Sequence, residues 1–82
     1  KKIIQEIVFS YFNKVNPKLK KIDLEEDYFA SGYIDSFGAI EMICFMEKKF
    51  KIEFSTDDME NPDFKIVNGL INFIFLKIKK KK

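Results

Sequence analysis

The 82-residue sequence predicts an all-α fold: a four-helix bundle with a long loop between helix 1 and helix 2 and a short third helix. Three observations predict it. Apolar residues recur every three or four positions in three separate segments, the period of an amphipathic helix. Pro17 and Pro62 fall between segments, where proline pushes the preceding residue out of helical geometry. Only Lys51-Ile52-Glu53-Phe54-Ser55 alternates apolar and polar as a strand would, and a lone strand has no partner.

The first helix carries Ile3, Ile4, Ile7, Val8, Tyr11, Phe12 and Val15 on its apolar stripe and is expected to end near Lys14. Residues 16–35 show neither helical nor strand period. Leu24, Tyr28, Phe29 and Ile34 punctuate them, and Gly32 supplies a turn. A loop this long in a small domain tends to be functional, and its apolar residues are expected to pin it to the core. The second helix is expected over Ser36–Phe50. Asp35 serves as its N-cap, and Lys48 and Lys49 suit the negative end of its dipole. A short helical turn should start at Ser55 or Thr56 and stop at Asn61-Pro62. The last helix is expected to carry Phe64, Ile66, Val67, Leu70, Ile71, Ile74, Phe75 and Ile78.

On a helical wheel starting at Ser36, with about 100° per residue, Ala39, Met42, Ile43, Met46 and Phe50 share an arc of about 240–340°. That arc is the expected core face. Phe37, Ile40 and Cys44 share a second arc, of about 40–100°, beside Ser36. A small domain need not bury both arcs, so this second ridge beside a helix-opening serine calls for a functional explanation. Phe45 fits neither arc.

Composition narrows the function classes. A chain of this size buries about 60–65% of its unfolded surface, enough for one modest core, and 46% of its residues are hydrophobic. The net charge of +2 conceals strong segregation. Five lysines lie within Lys77–Lys82, whereas residues 23–63 hold 12 acidic residues against three lysines, a net of −9. An acidic middle argues against a nucleic-acid groove and for basic partners. There is no histidine, no glycine-rich phosphate loop and a single cysteine, so the chain lacks the usual equipment of an enzyme or a metal site. Asp57, Asp58, Glu60 and Asp63 lack the ordered spacing of a calcium loop. Cys44 has no histidine to activate it as a thiolate nucleophile. One cysteine, a polar start at Lys1–Glu6 and no apolar run of about 20 residues lead to the expectation of a cytoplasmic protein without a transmembrane segment.

The run Gly32-Tyr33-Ile34-Asp35-Ser36-Phe37 resembles the Asp-Ser-Leu signature of acyl and peptidyl carrier proteins. The resemblance continues through Ile40-Glu41-Met42, the helix end Glu47-Lys48-Lys49-Phe50, and Ile52-Glu53-Phe54. It implies an acyl-carrier-like bundle over residues 1–78, followed by a basic C-terminal tail at 79–82. It also implies a 4′-phosphopantetheine arm on the Ser36 oxygen, with Asp35 beside it, bearing an acyl or aminoacyl thioester. Phe37, Ile40, Glu41, Cys44 and Glu47 would then form the face on which partner enzymes dock. The implied partners are a phosphopantetheinyl transferase, an acyl- or aminoacyl-loading ligase, and an acyltransferase or ketosynthase. The carrier itself would be a monomer and no enzyme.

Three positions depart from the pattern. Phe37 replaces the usual leucine, Gly38 stands where fatty-acid carriers often have an acid, and Lys48-Lys49 interrupt an otherwise acidic helix end. The Gly-x-x-Asp-Ser opening followed by Gly38 is more similar to carriers of D-alanine, amino acids or specialised acyl groups. Two alternatives stay open on the sequence. One is an unmodified helical protein-interaction module. The other is a basic-tailed binder of membrane or nucleic-acid surfaces, whose binding would weaken steeply with salt.

Overall fold

The structure, a computed structural model, describes residues 2–81. It contains α1 (Lys2–Val15), α2 (Ser36–Phe50), α3 (Thr56–Glu60), a 3-10 turn (Pro62–Lys65) and α4 (Val67–Lys81). Among the described residues the only extended pairing is an isolated antiparallel bridge between Asp27 and Ile66. The all-α fold expected from periodicity is the fold observed.

The apolar stripe of α1 buries Ile4, Val8 and Phe12, each one turn beyond the last. This stripe packs on α4, which contributes Val67, Leu70, Ile71 and Ile74 to the core. From α2 the core takes Ala39, Met42 and Met46, while Ile43 and Phe50 reach it only half-buried. Each fully buried aliphatic or aromatic side chain contributes about 1.5–3 kcal/mol, and Phe12, Tyr28, Met42, Met46, Leu70 and Ile74 are among those fully buried.

Local chemistry sets the helix ends. Lys51 closes α2 in the left-handed region, with φ 56°, and the amides of Lys51 and Ile52 both donate to the Glu47 carbonyl. The strand-like segment that follows makes no strand pairing among the described residues. Its alternation inserts Ile52 and Phe54 into the core and leaves Glu53 in solvent. Ser55 and Asp58 then form a reciprocal capping box that starts α3. Lys77 pairs with Asp58 at 2.6 Å and ties α3 to α4. Partial burial works to raise the Asp58 carboxyl, but hydrogen bonds from Lys77 and Ser55 and the Lys77 charge outweigh it, holding the group below its usual range.

The last helix starts later than its apolar spacing suggests. Phe64 lies in the 3-10 turn, which Asn61 caps and Pro62 opens, and Ile66 is extended to meet Asp27. Periodicity alone does not separate a helical turn from a 3-10 turn whose phenylalanine faces the same core. At Gly69, α4 passes so close to this turn that a Cβ would sit 1.8 Å from the Asp63 carbonyl oxygen. At its other end α4 continues through residues 79–81, and Lys82 lies outside the described residues. No helix among the described residues is long and apolar enough to cross a membrane.

The long loop is held by a small polar network around Tyr28. Its hydroxyl donates to the Phe64 carbonyl at 2.5 Å, and its amide donates to the Lys65 carbonyl at 3.0 Å. Its own carbonyl accepts from the Ile34 amide at 3.2 Å. The amides of Val67 and Asn68 donate back to the carbonyls of Glu26 and Leu24. The Tyr28 ring is buried against Phe12, 5.6 Å between centroids. Burial, and secondarily the Asp27 charge, push the Tyr28 hydroxyl well above its ordinary value. Folded Tyr28 therefore keeps its proton at a pH where an unfolded tyrosine loses it. The stability it contributes is complete below about pH 10 and is lost as pH rises beyond that. Tyr28→Phe should cost about 1–3 kcal/mol at neutral pH by leaving the Phe64 carbonyl unsatisfied. Between about pH 9 and pH 11 the variant should lose less stability than the parent, because the group that titrates is gone. Urea midpoints measured across that range test both statements.

Candidate functional site

The loop reaches Ser36 through two buried anchors. Tyr33 and Ile34 enter the core, and the Tyr33 hydroxyl accepts from the Asp23 amide at 3.1 Å. Gly32 turns the chain toward them with φ +76°, a conformation that favours glycine. Asp35 is the N-cap expected of it: with extended backbone, its Oδ1 accepts from the Gly38 amide at 2.7 Å. Its carbonyl accepts from the Ala39 amide at 2.8 Å, so α2 is wound from its first turn. Ser36 follows directly and is exposed.

The first turn of any α-helix has amides without intrahelical acceptors, and the dipole adds partial positive charge there. An exposed hydroxyl on that turn is a favourable place for a phosphate ester. Gly38 lets the turn close. A Cβ on it would lie 2.8 Å from Ile34 Cγ1 and 3.1 Å from Asp35 Oδ1. The absence of an acid at this position thus has a steric reason: the buried Ile34 side chain occupies the space. A signal was present in the sequence, because Ile34 and Gly38 are four residues apart, one turn, across the start of α2.

The expected docking residues do not all stand alike. Phe37 is 72% exposed and Ile40 63%, and Cys44 is a free, exposed cysteine, so the second apolar arc faces solvent beside Ser36. Glu41 is exposed on the flank of this ridge. Glu47 is half-buried, and one of its carboxylate oxygens accepts from the Phe54 amide at 2.9 Å. It braces the α2–α3 connection as well as bordering the ridge. Phe45, which fitted neither arc, stacks against Tyr11 of α1 with ring centroids 4.9 Å apart. Partial burial, then the charges of Glu41 and Cys44, raise the Tyr11 hydroxyl, which places all three side chains in one electrostatic neighbourhood.

A helical domain that presents one capped, solvent-facing serine beside an uncovered apolar ridge has the architecture of a carrier. The family model described as "Phosphopantetheine attachment site" matches residues 10–65. D-alanyl carrier proteins of Streptococcus pyogenes, those of strains Manfredo and NZ131 among them, are 35% identical to this chain over 72 residues, covering 82% of the chain and 90% of the relative. No solved structure matches. The chain belongs to the phosphopantetheine-binding carrier family, whose members bear 4′-phosphopantetheine covalently and serve partner enzymes without catalysing the reactions themselves.

Both Asp35 and Gly38 act through the same cap. Asp35→Ala should cost about 1 kcal/mol, and Gly38→Asp about 1–3 kcal/mol through the displaced Ile34. The double variant should cost less than the two added together, because each disrupts the same hydrogen bond. Urea unfolding of the three variants measures this.

Proposed function

We propose that Ser36 Oγ is the attachment point of the arm and that the cargo is an aminoacyl group, of the D-alanyl kind for which the Streptococcus pyogenes relatives are named. The observation that carries this reading is the exposed serine on the first turn of α2, positioned by the Asp35 cap and the buried Ile34. When attached, the arm supplies a terminal thiol that holds the cargo as a thioester. Ser36 provides the ester oxygen, and the first-turn amides of α2 favour the phosphate. Asp35 fixes the turn from which that oxygen faces a phosphopantetheinyl transferase. Exposed Phe37, Ile40 and Cys44 offer an apolar contact to a loading ligase or acyltransferase, and Glu41 and Glu47 meet basic side chains at its rim.

Incubation with coenzyme A, magnesium and a promiscuous phosphopantetheinyl transferase should add about 340 Da, one arm, to the intact chain. Ser36→Ala should abolish that gain and leave the stability nearly unchanged, since an exposed first-turn side chain contributes little packing. A mass gain on Ser36→Ala would refute the assignment. Asp35→Ala should slow loading by disordering the turn that presents the hydroxyl.

Ridge and rim should separate kinetically. Covering one large apolar side chain contributes about 1.5–3 kcal/mol, so Ile40→Ala should weaken a cognate aminoacyl ligase by roughly tenfold or more. A rim pair contributes only about 0–1 kcal/mol and mainly speeds encounter. Replacing Lys48 and Lys49 with Glu should improve service by a fatty-acid ketosynthase and leave the cognate ligase no better served. Transfer rates of the variants with both enzymes are the measurement.

A further inference from the structure

Three helix ends meet at the pole of the domain opposite Ser36. Lys51, which closes α2, lines one surface depression with Lys77 and Lys80 of α4. Glu6, near the start of α1, lines another with Lys49 of α2. Val15 at the end of α1 lies beside Glu41 near the start of α2, so these two helices run antiparallel. The start of α1 and the ends of α2 and α4 therefore share one pole, and α2 carries the chain about 20 Å from Ser36 to reach it. Charge is segregated along the same axis. Lys2, Lys48, Lys49, Lys79 and Lys80 are exposed at the pole. The acids there are Glu6, Glu47 and Glu53, and Glu47 is already bonded to the Phe54 amide. The acidic loop lies at the far end instead, where the Glu26 carbonyl accepts from the Val67 amide at the start of α4.

We propose that this basic pole seats the protein on an anionic lipid bilayer, with Leu76 entering the headgroup boundary and the lysines meeting lipid phosphates. Helical spacing is the first reason. Leu76 is 54% exposed, and Lys79 and Lys80, three and four residues on, share its face of α4. Leu70, Ile71 and Ile74 hold the opposite face in the core. An exposed aliphatic side chain beside lysines suits a membrane interface, where lysine stems cover apolar surface and the ammonium groups stay in water. Charge complementarity is the second reason. A cluster of four to eight lysines on and around such a helix is drawn to acidic headgroups, and the sequence adds Lys81 and Lys82 to those already exposed. Ile3, 70% exposed at the start of α1, adds a second aliphatic contact. Lipid is favoured over nucleic acid because the chain contains no arginine and because Ile3 and Leu76 offer no ring on which a base could stack. Seated this way, the protein keeps Ser36 and Phe37 at the far end of α2, open to a docked enzyme. The proposal does not depend on attachment at Ser36.

The test is cosedimentation of the full chain with phosphatidylcholine vesicles that do or do not contain phosphatidylglycerol. Binding should require phosphatidylglycerol and should weaken as salt is raised. Lys79→Glu combined with Lys80→Glu should weaken it by roughly tenfold or more. The chain has no tryptophan, so Leu76→Trp supplies a lone reporter whose emission should shift to the blue on anionic vesicles. Phe29→Trp, in the loop at the far end and 37% exposed in the parent, should show no such shift. Circular dichroism first verifies that each variant keeps the helix content of the parent. Equal binding to the two kinds of vesicle, an unshifted Leu76→Trp emission on anionic vesicles, or an equal shift in Phe29→Trp would overturn the proposal. Tighter binding to an oligouridylate than to anionic vesicles at the same salt would also overturn it and assign the pole to nucleic acid. None of these readouts involves the arm, so failure here leaves attachment at Ser36 standing, and failure of Ser36 to load leaves the bilayer contact standing.

Discussion

The buried hydroxyl of Tyr28 holds the molecule's one long irregular segment to its helical core. Its bond to the Phe64 carbonyl, with the amide bond to Lys65, joins the loop to the 3-10 turn ahead of α4. The Tyr28 carbonyl then receives the Ile34 amide, just two residues before Ser36. A loop of about 20 residues would otherwise be entropically costly to order. Here a few backbone bonds and two aromatic anchors, Tyr28 and Tyr33, fix its course. The position of Ser36 is therefore set by contacts to the opposite end of the sequence, not by α2 alone.

From that clamp the site follows in order. Ile34 is drawn into the core, which requires glycine at position 38, which lets Asp35 reach the Gly38 amide and cap the helix. The cap leaves Ser36 in solvent on the positive end of the dipole. Core packing and a phosphate-accepting turn are thus one structure. The same arrangement accounts for the missing acid that fatty-acid carriers often have after the serine: the bulk of Ile34 excludes it.

Partner selection is spread over surfaces of different character. The ridge of Phe37, Ile40 and Cys44 is apolar and uncovered, and an isolated domain has no internal reason to expose it so fully. Around it the charges are mixed, because Lys48 and Lys49 follow directly after Glu47. Such a face discriminates between enzymes by repelling some as much as by attracting others. On the adjacent side of α2, Glu41 and Phe45 face α1 and shape a groove of another kind.

The sequence by itself determined the helical class, the bounds of α2, the cap at Asp35, the second apolar arc and the family, since each is written in residues close together along the chain. Helical period and capping are local properties, and the Gly32–Phe37 run carries its resemblance within six residues. Tertiary structure alone decided the rest. It started the fourth helix only at Val67, because Ile66 is claimed by Asp27 from the distant loop. It turned Glu47 partly from a rim charge into a brace for Phe54, and it gave Phe45 its place against Tyr11. It brought Val15 at the end of α1 close to Glu41 of α2. These are pairings between residues far apart in sequence, and neither period nor propensity records which distant group will arrive to make them.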